Sequence, residues 1–270
     1  MPKPVIIAGA GIIGCLLGHV LKKHSIPFKI LEKSTEFKKI PYRTVALTKE
    51  SIHFLNSIEK SLDLNKWTTP VSKMELYHKN ELGIVLDSNT EEKVTSIGLL
   101  SNLHKKLLKK VKNEIIWNSS ITEIINKDKV IVKTLDKDFA TEFIFATDGA
   151  NSKVRELCDF ESEEWFYGQK AYVTCIKAQH NNIAKQYFTP NGTLALLPLN
   201  DKEEFYSIIF CTNSTGDVLQ DLEDMNKAFD IRLDLSKVEL GLGFELKHSR
   251  AIKLYTDNIL LCGDAANTFH

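Results

Sequence analysis

The sequence predicts an α/β fold in which a Rossmann-like dinucleotide-binding unit is interleaved with an antiparallel β-sheet domain. Three observations predict it. An apolar run, Val5 to Ala8, leads into Gly9, Gly11 and Gly14 in the spacing G-x-G-x-x-G, and then into apolar residues at helical intervals. A second short apolar run, Phe28 to Leu31, follows and ends on Glu32. From Lys170 the texture changes to long strands divided by turn residues, which suits an antiparallel sheet better than a parallel one.

The opening stretch "VIIAGAGIIGCLLGHVL" carries no Lys, Arg, Asp or Glu. It therefore competes as the apolar core of a signal peptide behind Lys3, or as a membrane segment with a Gly14-xxx-Gly18 packing face. It is shorter than the ~20 apolar residues a spanning helix needs, and no small-residue cleavage signature follows it. Strand, glycine turn, helix, strand is the better account. Gly9 allows the tight turn, Gly11 lets backbone approach a pyrophosphate, and Gly14 lets the helix lie close to the sheet. The helix start then offers N–H groups to phosphate. Glu32, with Lys33 beside it, falls about twenty residues after the glycines, where a carboxylate accepts from ribose hydroxyls and repels a 2′-phosphate. The expected ligand is FAD or NAD and not NADP.

The chain of 270 residues has room for one large domain or two smaller ones, and its 35 basic and 35 acidic residues cancel. No bulk electrostatic attraction to nucleic acid is expected. Cys15, Cys158, Cys175, Cys211 and Cys262 form no C-x-x-C pair, which argues for reduced thiols in a cytosol-like compartment and against zinc or a disulfide frame.

Between the strand-rich ends, Thr48 is placed to cap a helix that turns Ile52, Leu55, Ile58 and Leu62 inward. "VSKMELYHK" and "LGIVLDS" alternate around a turn at Asn80 and read as a hairpin. Ile97 to Asn113 reads as an amphipathic helix with Leu100, Leu103, Leu107 and Val111 on one face and five lysines elsewhere; a solvated face over a core is expected, with an anionic membrane as the rival. "FIFA" then returns to the buried parallel sheet. "AYVTCIKAQ", "IAKQYFTP", "TLALLPLN" and "EFYSIIFCT" form the antiparallel run, and a helix is expected from about Gly216 to Phe229.

Two later strand ends carry aspartate beside glycine: Asp148 and Gly149, with Ser152 and Arg155 following, and Gly263 and Asp264, with Ala265 following. Singly, each reads as an ordinary turn or cap. In this order after the glycine motif, and with "YRTVALT" around Arg43, "WFYGQKAYV" from Trp165 and "QYFTPNGTLALLPL" from Gln186, the sequence resembles the single-component FAD-dependent aromatic hydroxylases (class A flavoprotein monooxygenases) and within them the ubiquinone-biosynthesis branch. The resemblance runs almost end to end.

The resemblance implies a discontinuous FAD-binding domain (1–70, 96–165 and 250–270) and a substrate domain (71–95 and 166–249). It implies that Gly9, Gly11, Gly14, Glu32 and Lys33 hold the ADP half of FAD, with Arg43 near the pyrophosphate. Asp264, with Gly263 and Ala265, would meet the ribityl chain, and Asp148, Gly149 and Arg155 would support both FAD and transient NADH or NADPH. The implied chemistry is reduction of FAD by the nicotinamide, activation of O2 by the reduced flavin, and hydroxylation of a polyprenylated phenol or small aromatic substrate. No catalytic acid, base or metal is assigned. "LALLPL", with Tyr172, Tyr187 and Phe188, is the candidate cavity wall. The implied setting is cytoplasmic, with peripheral contact at the inner membrane and membership of a ubiquinone-biosynthesis complex as further options.

The sequence also departs from the family pattern. Ser101 stands where members commonly carry Arg before a helix near Leu103, which removes a phosphate contact. Asn267 stands where His is usual, and members continue past the position of His270 with a proline, a G-Q-G-x-N segment beside the flavin and further helices. A piece of a hydroxylase, a shortened non-catalytic FAD-binding or scaffold subunit, and a chain completed by another chain all remain open. An NAD-dependent dehydrogenase is disfavoured by the antiparallel region and the late Gly-Asp.

Overall fold

The computed structural model describes residues 3–37, 42–78, 81–87, 94–126, 129–200, 204–241 and 243–270. The chain forms two compact units, one of residues 1–39, 103–166 and 247–270, the other of 40–102 and 167–246. The sequence-based division differs in assigning 40–70 and 96–102 to the nucleotide domain. Those stretches group with the second unit because Thr44–Leu47, Thr95–Leu99 and Thr68–Val71 form a sheet of their own, and Thr68–Val71 packs against Gly192–Asn200.

The first unit is built on a six-stranded sheet in the order Tyr255–Thr256, Ile259–Leu261, Ile144–Ala146, Val5–Ala8, Phe28–Leu31, Ile115–Ile116. The strands from Ile259 to Ile115 are parallel, with Ile7 opposite both Ile30 and Phe145. Such strands are covered on both faces, which is why they read as unbroken apolar runs. Ile6, Ile7, Ile30 and Ile144 are fully buried. The opening apolar run is thus a strand and a separate helix, Ile12–Lys23. Gly18 brings that helix onto the second strand, since a Cβ there would meet the Phe28 ring at 2.8 Å. Among the described residues no helix is long and apolar enough to cross a membrane. A three-stranded antiparallel sheet, Ile121–Asn126, Val130–Thr134 and Asp138–Thr141, adds Val130 and Val132 to the same core.

In the second unit the strands run in the order Ser162–Lys177 (from Lys170 onward), Glu204–Thr212, Gly192–Asn200, Ile183–Thr189, Lys73–His78, Glu81–Asp87. One pairing departs from the antiparallel expectation: Ile183–Thr189 lies parallel to Lys73–His78. The predicted hairpin forms, while its turn at Asn80 lies outside the described residues. Alternation along Gly192–Asn200 buries Leu194 and Leu196 against Leu222 and Met225 of the helix Val218–Ala228. Tyr187 joins them and stacks on Tyr77 at 4.7 Å. Leu194, Leu196 and Tyr187 are therefore core residues and not the wall of a cavity, because their side of the sheet is the one the helix covers.

Thr48 caps Lys49–Ile58 as expected, accepting from the Ser51 N–H at 3.2 Å. The helix expected from Ile97 begins at Leu100 instead. Ile97 to Leu99 continue the strand Thr95–Leu99, whose Gly98 faces the Trp67 ring, and the β-sheet pairing overrides the helical periodicity. Ser101 consequently lies inside the helix Leu100–Val111 and is buried, not ahead of a helix near Leu103.

Candidate functional site

Four neighbouring parallel strands end on one edge of the first unit's sheet, and each leads into a loop that the sequence singled out. Val5–Ala8 leads to Gly9 and Gly11, Phe28–Leu31 to Glu32 and Lys33, Ile144–Ala146 to Asp148 and Gly149, and Ile259–Leu261 to Gly263 and Asp264. The carboxyl edge is where ligands bind in open parallel α/β sheets. A cleft of about 520 Å3 opens there, lined by Gly9, Gly11, Glu32, Lys33, Asp148 and Gly149 together with the segment Ser119–Ile121, Asn151 and Lys153.

The three motif glycines stand in different positions. Gly9 has φ +94°, and a Cβ on it would lie 2.9 Å from the Asp148 Cα; Gly14's would overlap the Gly9 carbonyl oxygen. Protein geometry alone demands both. Gly11 sits in extended backbone at φ −66°, ψ −176°, and the nearest protein atom to a Cβ there, the Thr147 carbonyl oxygen, is 3.9 Å away. Neither backbone nor packing requires glycine at 11. What an added Cβ would narrow is the cleft. The helix Ile12–Lys23 that follows has no side-chain cap and no acidic residue in its first turn, so its leading N–H groups and dipole face that edge uncompensated.

Glu32 has a structural task. Its Oε2 accepts from the Ala10 N–H at 2.8 Å and its Oε1 from the Ser34 N–H at 2.9 Å, which pins the glycine loop to the second strand. A carboxylate has about four acceptor sites, so each oxygen keeps capacity toward the cleft. The Ala10 carbonyl is held by His104 Nε2 at 2.6 Å and by the Cys15 thiol at 3.2 Å. Burial first, and the Glu32 charge second, push the Cys15 thiol up to about 12, so it stays a neutral donor.

Asp148 Oδ2 accepts from the N–H groups of Lys153 (2.7 Å) and Val154 (3.1 Å), capping the short helix Lys153–Leu157 with Ser152. Its Oδ1 is shielded and has no hydrogen-bond partner among the described residues. The Thr147 hydroxyl donates to the Ala8 carbonyl at 2.7 Å and ties this loop to the glycine strand.

The remaining sequence-derived candidates lie off the cleft. Gly263, at φ +60°, abuts Ile13 near the start of the glycine helix, and Asp264 is exposed beside it. Ala265 is fully buried. Arg155 is buried as well, its guanidinium bonded to the Ala265 and Ala150 carbonyls. Arg43 is exposed in the second unit, where its carbonyl accepts from the Leu100 N–H.

Sequence reasoning missed Ser119, Ser120, Asn151, Lys153 and His104. Ser119 was within reach. It follows the last short strand of the parallel sheet, and its N–H bonds the Glu32 carbonyl at 2.8 Å. No cluster of His, Cys, Asp or Glu fit for a metal occurs among the described residues.

A family model described as FAD binding domain matches residues 3–270. The ubiquinone biosynthesis monooxygenase COQ6, mitochondrial, of Drosophila melanogaster is 26% identical over 265 residues, which are 83% of this chain and 54% of that protein. The chain thus spans about half the length of that relative. The 3-demethoxyubiquinol 3-hydroxylase of Escherichia coli is 22% identical, covering 100% of this chain and 74% of its own. Among solved structures, a variant of Klebsiella pneumoniae HpxO complexed with FAD superposes with TM-score 0.80 at 14% identity, covering 98% of this chain and 75% of that one. The last likeness establishes a common fold.

Proposed function

The chain belongs to the FAD binding domain family, and on that premise we propose that FAD lies along the carboxyl edge of the first unit's sheet, its ADP half in the 520 Å3 cleft. The observation that carries this is Gly11, a glycine that nothing among the described residues requires, beside an uncapped helix start. The residues fit the cofactor. Glu32 would accept from the adenosine ribose, the N–H groups at the helix start would receive the pyrophosphate, and Lys33 would add positive charge along the cleft. Asp148 Oδ1 offers an acceptor not used by the protein, and Asp264 is the acceptor for the ribityl hydroxyls.

FAD held there would supply redox chemistry, with NADH or NADPH as reductant and O2 as oxidant. The chain's own share is to orient the flavin and hold its phosphates. For the whole protein we propose hydroxylation of an aromatic ring of a ubiquinone precursor, supported by the similarity to COQ6 and to the 3-demethoxyubiquinol 3-hydroxylase. Peripheral contact with a membrane that holds a polyprenylated substrate, and membership of a biosynthetic complex, belong to the same proposal.

The purified chain incubated with FAD should retain it through gel filtration and show a flavin spectrum. Retention of NAD in place of FAD would overturn the assignment. If FAD is held, substrate-dependent oxidation of NADH or NADPH tests the activity; its absence favours the non-catalytic FAD-binding subunit.

A further inference from the structure

Arg155 is buried in the first unit without lining the cleft, and its guanidinium spans two turns. Nη1 donates to the Ala265 carbonyl at 2.9 Å, and Nη2 donates to the Ala150 carbonyl at 2.9 Å and to Glu164 Oε1 at 3.1 Å. One carbonyl belongs to the turn that carries Asp148 and Gly149, the other to the 3-10 turn Gly263–Ala265. A planar fork can hold two such acceptors at fixed spacing; an ammonium cannot.

Glu164 anchors the fork. The Ser249 hydroxyl donates to its Oε1 at 2.7 Å, and Lys247 Nζ stands 3.7 Å away. The Ser249 bond, opposed by burial and aided by the Lys247 and Arg155 charges, holds the Glu164 carboxyl below the usual carboxylate range. A buried guanidinium without its carboxylate is costly, so removing Glu164 should loosen Arg155 from its carbonyls.

We propose that Glu164 is a positioning residue for the cofactor cradle: through Arg155 it holds the Gly263–Ala265 turn in register with the Asp148 turn, so that one extended dinucleotide meets both. This rests on the FAD reading. Glu164 lies in the strand Ser162–Lys177, outside the three glycine-bearing motifs, and touches no cleft residue in the bonds above.

The test compares two ligands. ADP reaches only the Glu32 end of the edge, whereas FAD also reaches the Gly263 end. Glu164→Ala should weaken FAD about tenfold while leaving ADP within about twofold, both read by titration calorimetry. Glu164→Gln, which keeps an acceptor for Arg155 and Ser249, should recover part of the loss. Arg155→Lys should reproduce the selective loss and covers the case in which Glu164→Ala does not fold. Equal weakening of both ligands marks a general folding defect and overturns the proposal, as does unchanged FAD binding. A wild-type chain that binds ADP but not FAD overturns the FAD reading itself, and no variant is needed to see it.

Discussion

The first unit's cleft is shaped by backbone, the second unit's core by side chains. In the first, parallel strands of three or four residues converge on loops whose shape depends on glycine: Gly9 at positive φ, and Gly14 against the Gly9 carbonyl. In the second, strands of seven to nine residues bury Leu194, Leu196, Ile208 and Phe210 under a helix, with Tyr187 stacked on Tyr77. Backbone-built sites need one residue type at one position, so they mark the sequence. A wall of side chains accepts many apolar residues, provided volume and pattern are kept, and leaves no such mark.

The strongest way to break this contrast lies within the glycine motif. Gly14→Ala drives a methyl group into the Gly9 carbonyl and should destabilise the first unit by about 3 kcal/mol or more, seen as loss of its thermal transition. Gly11→Ala should cost under about 1 kcal/mol, the difference between glycine and alanine at a helix N-cap, yet weaken FAD about a hundredfold. Calorimetric melting with a parallel FAD titration separates the two. A Gly11→Ala chain that melts normally and holds FAD at full affinity would remove the main support for the cleft assignment.

That pair also marks how far the site was legible. The four loops at the carboxyl edge could be picked out because each follows a short apolar run of the kind a parallel sheet buries, and parallel strands end on a common edge. The double duty of Glu32 was not legible. Its bonds to Ala10 and Ser34 depend on how the loop closes, which spacing does not fix. Arg155 was named as part of a binding motif, and its bonds go to two protein carbonyls and Glu164, a pairing hidden in the sequence because Ala265 lies over a hundred positions away and only the fold brings it near. Leu194 and Leu196 were placed in the right strand, but which face the helix Val218–Ala228 would cover is decided by tertiary packing. The same competition turned Ile97–Leu99 from helix into strand.

Alkali sharpens the comparison at a smaller scale. Burial raises Tyr77 and Tyr206 to about 12 and pushes Tyr187 higher, all in the second unit; Glu75 adds to each shift. In the first unit burial raises Cys15 to about 12 and Cys158 to about 11. In every case the folded state keeps a proton that the unfolded chain releases, so stability is complete below the unfolded pKa and falls as pH climbs toward the folded one. The slope is about 1.4 kcal/mol per pH unit for each group. Cysteine costs begin near pH 9 and tyrosine costs near pH 10. Burial also raises Cys175 and Cys211 in the second unit and Cys262 in the first. With five such groups against three among the described residues, the second unit should lose stability faster than the first above about pH 10. Tyr77, Tyr187 and Tyr206 should ionise well above the usual tyrosine range, read by ultraviolet absorbance. An equal loss of stability in both units between about pH 10 and about pH 11 would contradict the side-chain character assigned to the second.

The smallest effect is expected at the strand Glu81–Asp87, where the second unit's sheet ends among the described residues and all seven residues are exposed, Ile84 at 58%. An exposed side chain has little burial to lose, so Ile84→Thr should shift stability by no more than about 0.5 kcal/mol, with a melting temperature independent of protein concentration. An edge strand with apolar side chains is also a template for pairing with another chain. Glu81 and Asp87 oppose that in the simplest case, because antiparallel pairing of two copies centred on Ile84 sets Glu81 of one against Asp87 of the other. A loss above about 1 kcal/mol that grows with concentration would show that two copies pair here in spite of that repulsion.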